Sequence, residues 1–354
     1  MLNTGLLRTA REALGLTQTE LATQSALPQS DLSRWERGLR TPTVEQLARL
    51  ADVVGVPADL LASETRVTVP VHRTAKAETK RVERMANGRI ELARIAASRI
   101  LADIDINTPV EFPTADDPAP PDPEAAADAI RRVWRMPFGP VQDLTAHIES
   151  AGAVVLRVDF GVESVLAAYT HVRGDQRWCF LNMRAADGAR ARFSLAHELL
   201  HWDRFDAPSD KDAEREAHRF AAALLMPRRE MEAVFARSRI TLDELLHVRQ
   251  RWKVSVQALV TRAYQLNMIS EHQRTRLWQQ INIRGWRRTE PGAIELEEPT
   301  IIRSALELHR TEHDYSDAEI AQVAGLPLGR LTDLMPDYFA ATDSARPLLR
   351  LVTP

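Results

Sequence analysis

Cysteine is nearly absent: Cys179 stands alone among 354 residues. An internal disulfide is therefore excluded, as is a metal cage built of thiolates, and cysteine poverty suits a reducing compartment. No stretch approaches the ~18 uncharged apolar residues that a membrane span needs, so no membrane is expected as a partner. The opening residues, MLNTGLLRTAREALGL, place charges where the apolar core of a secretion signal belongs. An excess of positive charge is also missing. The net charge is −3, so any binding to nucleic acid must rest on local features. What is present is ordinary: 44% hydrophobic and 27% charged residues exclude wholesale disorder. At roughly 150 residues per domain, the length suggests two to three domains. The expectation is a soluble, cytoplasmic, multidomain protein.

Residues 6–62 read as short helices. Leu7, Ala10, Leu14, Leu21, Ala22, Leu27 and Leu32 recur at helical spacing. Thr17 and Glu20 form an S/T-x-x-E capping box, Pro28 opens a further helix, and Gly38 with Pro42 stops it. Residues 66–101 hold nine Lys/Arg against three acids, a net of +6, and read as a basic helical stretch with a solvated face. The composition then flips. Residues 102–126 carry seven acids and no Lys or Arg, and six prolines fall between Thr108 and Pro123, which is linker behaviour.

From Glu124 the order is helix, helix, then three short strands beginning at Val154, Val165 and Trp178, with helices from Arg192 onward. That order predicts an α+β domain with helices on a small antiparallel meander. The expected divisions are a helical head (1–64), a basic helix with its acidic Pro-rich linker (65–123), an α+β core (124–230), its helical extension (231–290) and a small helical C-terminal domain (291–354). Ser316–Leu334 echoes the head's spacing, but helical-hairpin packing explains it better than nucleic-acid contact. Trp202, Trp252 and Trp286 are expected as core residues, and Cys179 as a buried structural thiol.

The segment Phe193-Ser-Leu-Ala-His-Glu-Leu-Leu-His201 contains H-E-x-x-H. On a helix, His197 and His201 lie one above the other on one face, so both imidazoles can hold one ion. Zinc suits two nitrogens and an oxygen with a fourth position left for water. Glu198 projects beside that face, placed to take a proton from such a water. Downstream, Glu214 and Glu216 begin an apolar helix. Acids in a first turn are commonly just partners of the helix dipole, and that reading weighs more heavily on Glu216 than on Glu214.

FSLAHELLH followed by E-x-E-A-x-x-F-A-A-x-L-L-M-P resembles the ImmA/IrrE family of zinc metallopeptidase-like proteins, over about residues 124–290. The resemblance implies a zincin-like fold, His197, His201 and Glu214 as metal ligands, and Glu198 as general base. It also implies cleavage of a cognate repressor-type protein. His218 stands where family members usually carry Asn, one turn after Glu214, and is expected to orient a ligand or the substrate carbonyl. Tyr169, His171 and His218 are the candidates for stabilising the oxyanion. Strand 165–172 is expected to offer an edge to an extended substrate.

Leu16–Gly38, with Glu-Leu-Ala, Leu-Pro and Arg-Trp-Glu-Arg-Gly, resembles the Cro/repressor (XRE) helix-turn-helix family over residues 3–62. Its second helix would enter the major groove of operator or promoter DNA. By motif position Gln29, Ser30 and Arg34 would read bases, Gln18 would bond a phosphate, and Arg37 and Arg40 would support backbone contact. Residues 1–64 nevertheless carry six Arg and eight acids, so a helix-turn-helix used only for protein contact is the bland alternative.

The reading is a DNA-binding transcriptional regulator carrying a zinc-dependent endopeptidase, with a repressor-type protein as substrate. The rivals are a transcription factor whose metal fold is a non-catalytic sensing or dimerisation module, and a toxin–antitoxin-type component. A homodimer is possible, since repressor folds often pair to read two half-sites, but no dimer seam is legible.

Overall fold

The computed structural model describes residues 2–72, 79–106, 108–110, 122–170, 176–202, 211–237 and 239–339. Most of the Pro-rich linker and His171 lie outside these residues, as do the side chains of His201 and Trp202. Among the described residues no helix is long and apolar enough to cross a membrane.

The head is five helices: α1 (Thr4–Ala13), α2 (Gln18–Gln24), α3 (Gln29–Glu36), α4 (Val44–Val54) and α5 (Ala58–Leu61). Three of the five, α1, α2 and α4, start where a side chain satisfies an orphan amide, while α3 opens after Pro28 with no side-chain cap. Asn3 accepts from Leu6, Thr17 and Glu20 close the expected capping box, and Thr43 with Gln46 closes a second. Leu6, Leu7, Leu21, Leu32, Trp35, Leu50 and Val54 fill the centre.

Helix α6 (Lys80–Ile100) bears out only the later part of the helical stretch expected over 66–101, since residues 66–72 are not helical, and it is no solvated connector. Eleven of its residues are buried, among them Ala86, Gly88, Ile90, Ala93 and Ala97. Its small residues let α1 approach closely. A Cβ on Gly88 would stand 2.5 Å from the Ala13 nitrogen and 2.7 Å from the Thr9 carbonyl oxygen, both backbone atoms. Gly88→Val should therefore force the helices apart and cost about 2–3 kcal/mol. Urea unfolding followed by tryptophan fluorescence checks this, and an unchanged midpoint would contradict the close crossing.

Helices α7 (Pro123–Val133) and α8 (Leu144–Ser150) lead into the sheet, which contains β1 (Val71–His72), β2 (Val154–Val158), β3 (Ala167–Thr170) and β4 (Trp178–Asn182). Its order is β1-β3-β4-β2. The sheet is not the expected antiparallel meander. β2 runs parallel to β4, Val154 opposite Trp178, while β3 is antiparallel to β4. Successive residues point to opposite faces, and both faces are covered, so β4 is buried along its whole length. Val155, Ala167, Tyr169, Cys179 and Leu181 belong to one core. Val154, Leu156, Ala168, Trp178 and Phe180 belong to the other, together with the head, α6 and the C-terminal helices.

The first core is closed by α9 (Gly188–Trp202), α10 (Lys211–Leu225), α11 (Arg228–Phe235), α12 (Leu242–Trp252), α13 (Val256–Gln265) and α14 (Glu271–Ile283). Trp252 is buried there and Trp286 packs against it. The second is closed by α15 (Ile301–Glu312), α16 (Asp317–Ala324), α17 (Leu328–Leu334) and α18 (Pro336–Phe339). Expected as a separate small domain, these last helices share their core with the head and α6. Buried Arg89 on α6 ties the parts together: its Nε donates to the Asp159 carbonyl (2.6 Å) and its Nη1 to Asp333 Oδ2 (3.0 Å). Glu149 on α8 accepts from the Thr300 amide (2.8 Å) and hydroxyl (2.6 Å) at the start of α15. Burial pushes the Glu149 carboxyl above the usual range, against the pull of those hydrogen bonds.

Candidate metal centre and nucleic-acid interface

Helix α9 begins where Asp187 Oδ1 accepts from the Ala189 amide at 2.9 Å. Segment 294–295 crosses directly over that start, with the Gly188 amide donating to the Ile294 carbonyl at 2.8 Å. From there α9 runs under the sheet, burying Leu195, Ala196, Leu199 and Leu200. His197 and Glu198 are each only 2% exposed. Burial first, and then the charge of Glu198, raises the pKa of both the Tyr169 phenol on β3 and the Cys179 thiol on β4. Glu214 contributes further to the Tyr169 shift. The carboxylates of α9 and α10 therefore lie within electrostatic reach of the same phenol.

Helix α10 lies against α9 and brings two side chains to His197. Glu214 Oε2 stands 3.5 Å from His197 Nε2. One turn later, His218 Nδ1 stands 3.3 Å from His197 Nδ1. The His218 ring is set edge-on against both Phe193 (5.2 Å between centroids) and His197 (5.4 Å). Glu214 therefore faces one ring nitrogen of the imidazole, and His218 stands against the other.

These positions fit zinc. Two ligands bound at about 2.0–2.1 Å in a tetrahedral shell lie about 3.4 Å apart, close to the Nε2–Oε2 separation. A metal-binding imidazole ordinarily has its second nitrogen fixed by a neighbour, which is where His218 stands. Among the described residues no group of three donors is complete, and the His201 side chain lies outside them.

In the head, Glu36 is 2% exposed and organises the surface. Arg11 donates to it twice, Nε to Oε1 at 2.6 Å and Nη2 to Oε2 at 3.0 Å. Gln18 Nε2 donates to Glu36 Oε2 at 2.8 Å, and Gln29 Nε2 donates to Gln18 Oε1 at 3.2 Å. The relay fixes two amides at the starts of α2 and α3. Gln29, Ser30, Arg34, Arg37 and Arg40 are exposed around it. Arg40 pairs with Asp31 at 3.2 Å, and Arg37 Nε donates to the Ser33 carbonyl at 3.1 Å. A groove of about 860 Å³ beside this surface is walled by Arg8, Gln18 and Gln29 and by Arg81 and Arg84 of α6.

Residues 7–61 match the helix-turn-helix family, and residues 148–264 match the IrrE N-terminal-like domain family. The chain joins an XRE-type helix-turn-helix to an IrrE-like domain. Compared with curated proteins, the whole chain matches none.

The IrrE-like match spans β2 through most of α13 and so contains the α9–α10 pair whole. Three residues that shape the two sites were not read from the sequence. Arg11 lies in line with Leu7 and Leu14 on the apolar face of α1, a misplaced charge that signals a buried partner. Phe193 sits one turn before His197, where a helical neighbour must pack. Arg249 carried no local signal, because its partners Asp187 and Glu290 are distant in the chain. The expected edge of β3 is present but is not free, since β1 pairs with it, Val71 opposite Tyr169 and His72 opposite Ala168.

His218→Ala should weaken zinc binding by the IrrE-like domain about 10- to 100-fold, because His197 loses the group that fixes its ring. His218→Asn, which keeps a hydrogen-bonding side chain, should lose less. Competition with a metal-sensitive dye checks both, and equal affinities for wild type and His218→Ala would remove the orienting role.

Proposed function

We propose that this DNA-binding regulator is also a zinc-dependent endopeptidase, cutting a protein substrate of the repressor class. The observation that carries the reading is the approach of Glu214 and His218 to opposite nitrogens of His197, beside buried Glu198. His197, His201 and Glu214 would hold the ion. Bound zinc would supply a Lewis acid and a water that ionises near neutral pH. Glu198 takes the water's proton at its carboxylate and returns it to the leaving amine. His218 keeps the proton of His197 on Nδ1, leaving Nε2 free as a donor. Tyr169 stays protonated because burial and two carboxylates oppose its ionisation, so its hydroxyl can donate to a developing oxyanion.

The test is incubation of the zinc-saturated chain with repressor-type proteins encoded beside it, read by intact-mass spectrometry. Discrete fragments that disappear with a chelator support the reading, and intact substrates throughout would sink it. For the head, Gln29, Ser30 and Arg34 are the proposed base readers, with Gln18, Arg37 and Arg40 on phosphates. Affinity for promoter DNA should fall with salt at a slope of about −3 to −5 on logarithmic axes. Arg37→Ala should make that slope about one unit shallower. A salt-independent affinity would favour a head that contacts protein instead.

A further inference from the structure

The β3 edge beside α9 is where an extended peptide would add to the sheet, through the backbone groups that a neighbouring strand uses. In this chain those groups already have a partner. β1 runs antiparallel to β3, with Val71 opposite Tyr169 and His72 opposite Ala168. The residue facing Val71 is therefore Tyr169, which packs in the same core as Leu195, Ala196 and Leu199 of α9, the helix that carries His197 and Glu198. The other edge of β3 is taken by β4, so β3 has no second side to offer.

The arm that delivers β1 is seated by specific contacts. Asn3 Nδ2, from the head, donates to the carbonyls of Ser63 (3.1 Å) and Thr65 (2.7 Å). Arg94 Nη2 donates to the Arg66 carbonyl at 2.8 Å. The Thr68 amide and hydroxyl each donate to the carboxylate of Glu91 at 2.6 Å, and Glu91 is 1% exposed. Pro70 is buried immediately before the strand. The anchor is strong, and among the described residues Val71 and His72 pair with β3.

We propose that β1 is a cis-acting occupant of the substrate edge, so that an extended segment of the substrate must displace it before reaching the metal site. The proposal rests on the peptidase reading of the α9–α10 site for its meaning, though not for its test. An attached competitor lowers the apparent affinity of an incoming strand by the fraction of time the edge is free. A proline in an edge strand removes a donor and weakens the pairing. Val71→Pro should therefore open the edge, while Val71→Ile keeps a strand-forming side chain and should behave as wild type.

The experiment uses the full chain without metal and a fluorescent peptide of the sequence Arg66–His72, read by anisotropy. Hydrogen exchange at Ala168–Thr170 is followed in the same samples, and promoter binding by the head reports that each variant is folded. In Val71→Pro, β3 exchange should accelerate and the peptide should bind at least about tenfold more tightly than to wild type or Val71→Ile. Equal peptide affinity in all three would overturn the proposal, as would β3 exchange indifferent to Val71→Pro. Tighter peptide binding by Val71→Pro, together with repressor-type proteins left intact in the separate zinc-saturated assay, would leave the edge competition standing and defeat the peptidase reading alone.

Discussion

Glu198→Gln should lower hydrolysis by the zinc-loaded chain by about 10²- to 10⁴-fold while leaving zinc affinity nearly unchanged. The amide has the carboxylate's shape but cannot take a proton, so the variant loses the acid–base step, a loss of about 10²–10⁴ in general. Unfolding does not offer an alternative explanation. Glu198 is 2% exposed, and the amide replaces its carboxylate with a group of the same size, leaving no cavity. The thermal midpoint should stay close to that of wild type. Hydrolysis within a few fold of wild type, on the same substrate and at the same metal loading, would take Glu198 out of the mechanism.

Arg249→Met should cost about 3–5 kcal/mol, the usual loss when one member of a buried ion group is removed. The Arg249 side chain is wholly buried between two carboxylates, also buried, on segments far apart in the chain. Its Nη2 donates to Asp187, and its Nε donates to Glu290 Oε2 at 2.9 Å. Glu290 also accepts from the Val256 amide at 2.7 Å and so begins α13, while Asp187 begins α9. Without the guanidinium, two acids face each other in a dry interior, and the helix that carries His197 loses its fixed start. Denaturant unfolding should show the loss in stability, and zinc affinity should fall with it. A variant that unfolds at the wild-type denaturant concentration would show that the cluster does not support α9.

How much of this was legible in the sequence depended on how local each cause is. The Thr17–Glu20 capping box was readable because its two partners lie three residues apart. The H-E-x-x-H spacing was readable because shared ligation forces i, i+4 on a helix. Glu214 was already weighed above Glu216 as a downstream donor, but its assignment as the third ligand came from the family resemblance, since acids in a first helical turn are commonly only helix-dipole partners. The sheet order was hidden. Val154–Val158 and Trp178–Asn182 are nearly continuous apolar runs, and a strand buried on both faces does not show which neighbour it pairs with, or in which direction. Helix α6 misled for a related reason. Its arginines dominate the composition, and only the second half of the helix carries the large apolar residues Ile90, Leu92, Ile95 and Ile100, while the rest of the packed face is made of small residues such as Ala86, Gly88, Ala93 and Ala97. β1 was missed, being two residues after Pro70 at the start of the stretch 66–101 that reads as basic and helical.

The central claim is that one zinc ion is held by His197, His201 and Glu214. It is tested most directly by metal analysis of the purified chain dialysed against limiting zinc. The account predicts one equivalent per wild-type chain, with affinity at least about tenfold lower in His197→Ala and in Glu214→Ala, and unchanged in Glu216→Ala. A wild-type chain that retains no zinc, or a His197→Ala chain that retains as much as wild type, would contradict it.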